Sequence, residues 1–435
     1  MTAREAALRV LTRCRRDGAW SGQILDQTLS QSGLSARDAA LVSQLSLGVM
    51  QNARYLDFAI AEVCRSERLE PKLRDLLRLG AYQLLFLDRI PTHAAVNESV
   101  ALCRAIGLER AAGLCNAVLR RLAERRGAMP EPPGAGSAVY LAMRYSVPDW
   151  FAEKLLAHYD YGFCEAFLRA SAERAPTDLQ INTLKTDDNV YFRLLEEAGV
   201  PFEKPDFPAH CVSLAGGRVP ALPGFEEGLF YVQDRAAAMA VEIAAPQPGM
   251  RVLDACAAPG GKSFAAALRM KNEGSVTACD IHEKKLSLIR EGAQRLGLTC
   301  IETRARDARA PEETWRDVFD LVIADVPCSG FGVLRKKPEI RSRRREDAEG
   351  LAEIQLAILN NLAHFVKPGG TLLYSTCTVL SEENDALVAR FLAENPVFSP
   401  EEFSVGDRRS HHGCYSFWPQ IDGTDGFFAA KLIRT

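Results

Sequence analysis

Asp254-Ala255-Cys256-Ala257-Ala258-Pro259-Gly260-Gly261-Lys262-Ser263 is the stretch on which the reading of this chain turns. Ahead of it, Met250-Arg251-Val252-Leu253 follows Pro248-Gly249 and reads as a short buried parallel strand. Behind it, Phe264-Ala265-Ala266-Ala267-Leu268 is a strong helix former. A strand, a small-residue turn and a helix make a βα unit. Glycine lets backbone approach a ligand closely, and the free N–H groups of the helix start face that ligand. A nucleotide-like cofactor is therefore expected here. A tight structural turn is the alternative, because one Gly-rich turn is a weak signal by itself.

Strands and helices alternate from Asp234 to the end of the chain. Val252–Ala255, Ser275–Cys279, Leu321–Ala324, Thr371–Ser375 and Phe427–Leu432 read as strands. Helices are expected over Ser263–Met270, Glu283–Leu296, Ala348–Val366 and Glu382–Asn395. Such alternation predicts an α/β doubly wound, mostly parallel sheet that binds ligands at the carboxyl ends of its strands. The strand ends carry Asp254 and Cys256, Asp280, Asp307, Asp325 and Cys328, and Ser375 and Cys377. Asp280, past the Gly-rich turn, is placed for ribose hydroxyls, with helix capping as its alternative. Asp307 could address an adenine amino group or simply make a turn. A single strand-end cysteine is usually a buried small hydrophobe. Two of them, beside a carboxylate and a lysine-bearing turn, raise thiolate chemistry to an even alternative, with Lys262 the nearest cation in the motifs.

The first 126 residues have a helical period throughout and no strand alternation, so a helical bundle is expected. Residues 127–137, Gly-Ala-Met-Pro-Glu-Pro-Pro-Gly-Ala-Gly-Ser, form a Pro/Gly linker. After it, Tyr140–Tyr159 and Phe163–Ala172 read as helices. Strands at 178–184, 211–214 and 229–232 around a helix at 190–198 suggest a small α+β module. The expected domains are thus 1–126, a linker at 127–139, a helical and α+β module at 140–232, and the doubly wound domain at 233–435.

Composition bounds the function. The 435 residues are 47% hydrophobic and 25% charged, and no apolar run reaches the length of a membrane span. The amino terminus has no apolar signal core, so a cytoplasmic protein is expected. The 12 cysteines form no Cys-x-x-Cys pair and no zinc-like cluster with histidine, so no metal is expected. Net charge is −3, which argues against a uniformly basic nucleic-acid binder. Its distribution is uneven: residues 1–126 hold 19 Lys and Arg against 13 Asp and Glu, and the remainder holds 34 against 43. The first part could face a polyanion, or simply present a solvated Arg-rich surface. A second basic stretch, Arg335-Lys336-Lys337-Pro338-Glu339-Ile340-Arg341-Ser342-Arg343-Arg344-Arg345, follows the Cys328 loop. It is a candidate RNA contact through Arg335, Lys336, Lys337 and Arg341, with a solvated loop as the alternative. Tyr145, Trp150, Phe331 and Trp418 are candidate base-stacking residues, each equally suited to core packing.

Two resemblances extend this reading. Pro91-Thr92-His93-Ala94-Ala95-Val96-Asn97-Glu98-Ser99-Val100, with Asn116-Ala117-Val118-Leu119-Arg120, resembles the NusB fold, whose helices bind RNA. Asp254–Lys262, Asp325-Val-Pro-Cys-Ser-Gly-Phe-Gly332, Tyr374-Ser-Thr-Cys-Thr378 and Asp425-Gly-Phe-Phe-Ala-Ala-Lys431 occur in order. Together they resemble the RNA 5-methylcytosine methyltransferases that use S-adenosylmethionine. The helical amino-terminal part narrows this to the Sun/Fmu type, which acts on 16S small-subunit ribosomal RNA. The resemblance implies a Rossmann-like class I domain in which Cys256, Ala257, Ala258, Pro259, Gly260, Gly261 and Lys262 cradle the methyl donor. Asp280 would hold its ribose, Asp307 would lie beside its adenine, and Asp325 would contact both cofactor region and cytosine. Cys377 would be the nucleophile and Cys328 the thiol that aids product release, with Lys262 assisting. A monomer is expected, since one chain contains every catalytic part. Transfer or messenger RNA as substrate, or a non-enzymatic assembly factor, are the competing functions. One departure stands out: relatives often carry Arg where this chain has Gln180, which leaves the RNA contact of the small module open.

Overall fold

The computed structural model describes residues 1–17, 21–64, 66, 68–129 and 131–435, so Pro130 of the expected linker lies outside the described residues. Contacts divide the chain into two compact units. One holds Met1–Glu173 with Leu334–Arg345, and the other holds Arg174–Val333 with Glu346–Thr435. The division falls at Glu173–Arg174 and not at the Pro/Gly stretch.

The first unit is helical. Helices Ala3–Asp17, Ser21–Ser32, Ala36–Gln51, Ala53–Ala61, Pro71–Phe86, Thr92–Ala105 and Ala112–Glu124 enclose a core that includes Ala6, Val10, Leu45, Leu76, Leu79 and Leu119. Helix 21–32 escapes a hydrophobicity reading because two of its four buried residues are Ser21 and Thr28. Helices Ala138–Arg144, Asp149–His158 and Tyr161–Ala170 also belong to this unit. They are tied to it by Arg54, which donates to the Val147 carbonyl at 2.6 Å and to Asp149 at 2.8 Å. The helix expected over 140–159 is broken, because Ser146 takes a φ of 54° just before Pro148.

The basic stretch joins the same unit, and the composition reading of it needs correcting. Leu334, Pro338, Ile340 and Arg341 are buried. Arg341 is 4% exposed and donates to the carbonyls of Tyr145 and Ser171. Burial pushes its guanidinium down to about 10, still charged at neutral pH. It is a clamp between two helix ends, not an RNA contact. Lys336 and Lys337 stay exposed, and Arg335 is half-buried.

The second unit contains two sheets. The small antiparallel one has the order β2-β1-β3, with β1 at Thr177–Ile181, β2 at Cys211–Leu214 and β3 at Phe230–Val232. Helix Asp188–Glu197 packs on it through Tyr191 and Leu195. Gln180 is buried and donates to the Gln233 carbonyl at 3.1 Å, so this side chain braces the module from within. Asn182 donates to the carbonyls of Gly228 and Leu296, both at 2.9 Å, which seats the module on the end of helix Glu283–Leu296.

The large sheet runs β12-β13-β8-β7-β4-β5-β6, with β9 pairing β13. Its strands are β4 (Arg251–Asp254), β5 (Ser275–Asp280), β6 (Ile301–Ala305), β7 (Phe319–Asp325), β8 (Val366–Thr376), β9 (Phe398–Pro400), β12 (Cys414–Phe417) and β13 (Phe427–Arg434); β10 (Ser404–Val405) and β11 (Arg408–Arg409) form a separate hairpin. Strands β4 to β8 are parallel, and β13 and β12 return antiparallel. From β4 the chain builds outward through β5 and β6, then crosses back to β7 on the other side. The carboxyl ends of β4 and β7 are therefore the point where the winding reverses, and a crevice for ligands opens there. Among the described residues no helix is long and apolar enough to cross a membrane.

Replacing Arg341 by Ala strips a buried carbonyl, that of Ser171, and a part-buried one, that of Tyr145, of this donor. The expected cost is about 2–4 kcal/mol of stability, read from chemical unfolding. An unchanged unfolding midpoint would mean that the clamp contributes nothing.

Candidate active site

The site is assembled at the carboxyl ends of β4, β7 and β8. At the end of β4, Asp254 is fully buried and its Oδ2 accepts from Ser263 Oγ at 2.7 Å, while Oδ1 is buried without a hydrogen bond. Burial is the main cause pushing its carboxyl up to about 7; Ser263 and Lys262 oppose that shift. The turn then tightens: the Gly260 N–H donates to the Ala257 carbonyl at 2.7 Å, and the Phe264 N–H donates to Gly260 at 2.9 Å. Gly260 has a φ of 115°, and a Cβ there would lie 2.6 Å from the Phe264 ring, so glycine is required twice over. Helix Gly261–Arg269 begins at once, and its first-turn N–H groups belong to the turn.

Asp280 at the end of β5 accepts from the His282 N–H at 2.8 Å and more loosely from the Ala258 N–H at 3.4 Å. It thus joins the Gly-rich turn to the start of the next helix, whose N-cap is His282 and carries no side-chain cap hydrogen bond. Asp307 follows β6, and its carboxylate is engaged by Arg309, with Nη2 at 2.7 Å. That guanidinium holds Asp307 below the usual carboxylate range. The Arg306 N–H donates to the Asp280 carbonyl at 3.0 Å, so the two carboxylates sit at neighbouring strand ends. Cys256 lies within the turn, and burial raises its thiol far above the ordinary range. It is a packing residue of the turn.

Across the winding reversal, Lys262 is 7% exposed and its Nζ lies 2.7 Å from Asp325 Oδ2. The ammonium also stands 5.0 Å above the Phe427 ring. Asp325 Oδ1 accepts from Ser375 Oγ at 2.9 Å. Lys262, expected to serve the thiols, is thus engaged by a carboxylate. Its ion pair spans β4 and β7, and Ser375 extends the link to β8.

The thiols meet. Cys328 Sγ and Cys377 Sγ are 3.2 Å apart, within sulfur hydrogen-bond range, and no disulfide is formed among the described residues. The hydrogen bond to Cys377, followed by burial and the negative charges of Cys377, Glu383 and Asp325, holds the Cys328 thiol well above its ordinary value. The loops bearing the thiols are stitched together: the Gly332 N–H donates to the Cys377 carbonyl at 2.9 Å, and the Gly426 N–H donates to the Gly332 carbonyl at 2.9 Å. A Cβ at Gly332 would collide with the Gly426 carbonyl.

A layer of polar residues lies under these loops, and sequence reasoning missed it. Glu383 is 2% exposed. Its Oε2 accepts from the Ser329 N–H at 2.9 Å and from Gln355 Nε2 at 2.8 Å, and the same Gln355 amide donates to the Pro327 carbonyl at 2.9 Å. Ser329 Oγ and Thr378 Oγ1 are 2.7 Å apart. Asn384 accepts from Thr376 Oγ1 at 2.6 Å and donates to the Thr378 carbonyl at 3.1 Å. The expected helix from Glu382 accordingly begins only at Asp385, because Asn384 is held outside helical geometry. The available signal was the Glu382-Glu383-Asn384-Asp385 cluster directly after a strand end, which reads equally well as a solvated helix start. Among the candidate stacking residues, Phe331 and Trp418 are buried, and Trp150 donates to the Arg343 carbonyl at 3.2 Å.

The geometry can be set beside known proteins. Residues 241–433 match the model of the 16S rRNA methyltransferase RsmB/F family, residues 1–124 that of the NusB family, and residues 147–220 the ferredoxin-like domain of the RsmF/B-like methyltransferases. The probable ribosomal RNA small subunit methyltransferase B of Bacillus subtilis is 34% identical, covering 100% of this chain and 99% of its own. The chain belongs to the ribosomal RNA small subunit methyltransferase B family. Within the family, the enzyme of Klebsiella pneumoniae is 36% identical over 95% of this chain and 94% of its own. The crystal structure of PH0851 superposes with a TM-score of 0.82 at 26% identity, over 98% of each chain. A NusB-like bundle, a ferredoxin-like module and a Rossmann-like methyltransferase domain make up the fold. The family is one of S-adenosylmethionine-dependent rRNA methyltransferases.

Asp254 gives this site a measurable signature. Its carboxyl is harder to ionise folded than unfolded, so its contribution to stability is present at pH 4 and lost as pH rises through 7. Asp254→Asn is expected to match the parent protein at pH 4 or below, where the carboxyl is protonated in both states. At pH 8 it should be more stable by about 1–4 kcal/mol in urea unfolding. A difference independent of pH would sink the assignment.

Proposed function

We propose that this chain forms 5-methylcytosine at a specific cytosine of 16S ribosomal RNA, through thiolate addition of Cys377 to carbon 6 of the base. The observation that carries this reading is the pair of thiols, 3.2 Å apart at neighbouring loops, beside the Lys262–Asp325 ion pair.

The turn Cys256–Lys262 suits the methyl donor: a left-handed Gly260, first-turn N–H groups and the unpartnered Asp254 Oδ1 all stand at the end of β4. S-adenosylmethionine bound there supplies an electrophilic methyl group. Asp280 and Asp307, at the next two strand ends, would hold its ribose and adenine.

Carbon 5 of cytosine is too electron-poor to attack a methyl group unaided. When the Cys377 thiolate adds to carbon 6, a C–S bond forms, the C5–C6 π pair shifts to C4–C5 and the C4–N3 π pair shifts to N3, so carbon 5 becomes the nucleophilic end of an enamine. Asp325 stabilises the charge that builds at N3. In the free protein Asp325 accepts from Lys262 and Ser375, so donation to N3 requires it to take up a proton as the base enters. After carbon 5 is methylated, its proton passes to solvent water, the C–H pair restores the C5–C6 double bond, and the C–S bond breaks with its pair returning to the Cys377 sulfur. Cys328, in contact with Cys377, assists that release. Exposed Lys336 and Lys337, with Arg335, are the candidate contacts to the RNA backbone. A cytoplasmic monomer completes the reading.

Cys377→Ala is expected to lower methyl transfer by more than about 10³-fold, the scale set by loss of a covalent nucleophile. Cys328→Ala should instead accumulate protein covalently bound to RNA, visible as a band of retarded mobility on a denaturing gel. Methyl transfer by Cys377→Ala at the parent rate, or a label found away from carbon 5 of cytosine, would overturn the proposal.

A further inference from the structure

One buried acid is not used by the chemistry above. Glu383 lies under the Cys328 loop, and both of its hydrogen bonds reach the same oxygen, Oε2. Through Ser329 N–H it grips the residue after Cys328, and through Gln355 it is joined to the carbonyl of the residue before it. The backbone is thus held on both sides of one thiol. The opposite thiol is held by other groups: the Cys377 carbonyl accepts from Gly332, and Asn384 ties Thr376 to Thr378.

We propose that Glu383 is a positioning residue that keeps the proton on Cys328, and so leaves Cys377 as the thiolate nucleophile. The assignment rests on the reading of Cys377 as nucleophile. A thiol pair within hydrogen-bond distance shares one proton easily, and the symmetric chemistry of two cysteines does not say which keeps it. A buried carboxylate beside one of them breaks the tie, because a second negative charge at Cys328 is disfavoured in a site of low dielectric. Groups facing Cys328 are Cys377, Glu383, Asp325 and the Tyr374 hydroxyl. Those facing Glu383 are Cys328, Glu382 and Tyr374, whose hydroxyl donates to the Glu383 carbonyl at 2.6 Å. All of these are neutral or anionic. The nearby cation, Lys262, is paired with Asp325.

Thiol alkylation tests the assignment without RNA or methyl donor. The full-length Cys377→Ser protein is treated with iodoacetamide from pH 6 to 10, and Cys328 modification is followed by peptide mass spectrometry. Adding Glu383→Gln preserves an acceptor oxygen for Ser329 and Gln355 but removes the charge. The midpoint for Cys328 is expected to fall by about one pH unit, so that its rate at pH 8 rises about tenfold. Glu383→Asp in the same background should restore the original profile. A profile unchanged by Glu383→Gln overturns the proposal. Should Glu383→Gln fail to fold, the comparison of Cys328 in Cys377→Ser with Cys377 in Cys328→Ser decides: Cys377 must react at the lower pH, and the reverse order overturns the assignment. A failure here leaves cytosine methylation standing, whereas a failure of RNA labelling leaves the thiol result untouched.

Discussion

Two peptide backbones in contact set the geometry of this site. Gly332 follows the Cys328 loop and Gly426 precedes β13, and neither position has room for a Cβ against the other. Their approach, with the Gly332 N–H on the Cys377 carbonyl, brings three chain segments together at one point. Without it the thiols would lie on loops free to separate, since loops are the most mobile parts of a fold. The antiparallel return strand makes this possible. Because β13 runs against β8 with Phe428 opposite Thr376, residues 425–426 arrive beside Cys377.

The polar chemistry of the site depends on the same compactness. Lys262, Asp254 and Glu383 are all charged types at 7% exposure or less, an arrangement that costs stability unless each finds a partner. Lys262 finds Asp325, Glu383 finds two N–H donors, and Asp254 finds one hydroxyl. Burial pushes both carboxyls up, Asp254 to about 7, while Ser263 and Lys262 oppose the shift at Asp254 and Ser329 and Gln355 oppose it at Glu383. Polar groups fixed in this way suit a reaction in which charge builds on a bound base.

Legibility followed the range of the interactions. The βα turn at 254–263 could be read because strand, glycines and helix are neighbours in sequence, and their geometry is local. The strand-end residues lie together for a related reason: parallel strands all present their carboxyl ends on one side. The basic stretch was misread at Arg341 because charge counting records composition and not depth. Nothing nearby in sequence tells that Tyr145 and Ser171, both more than a hundred residues away, offer their carbonyls to it. Gln180 and Glu383 were obscure in the same way, each polar by type and buried by packing.

By itself the sequence determined most of the elements, the sheet type, the glycines of the turn and which side chains could carry chemistry. These depend on residue type and on periods of two and 3.6, which a linear reading can count. Only the tertiary structure decided who touches whom. It paired Lys262 with Asp325, set Cys328 against Cys377, sent Arg341 into the helical unit and slid Glu383 beneath one thiol. Each of those contacts joins residues brought together by strand register or helix packing, and each takes its strength from burial. Burial is a property of the folded surface as a whole, so it could not be read from any one stretch of the chain.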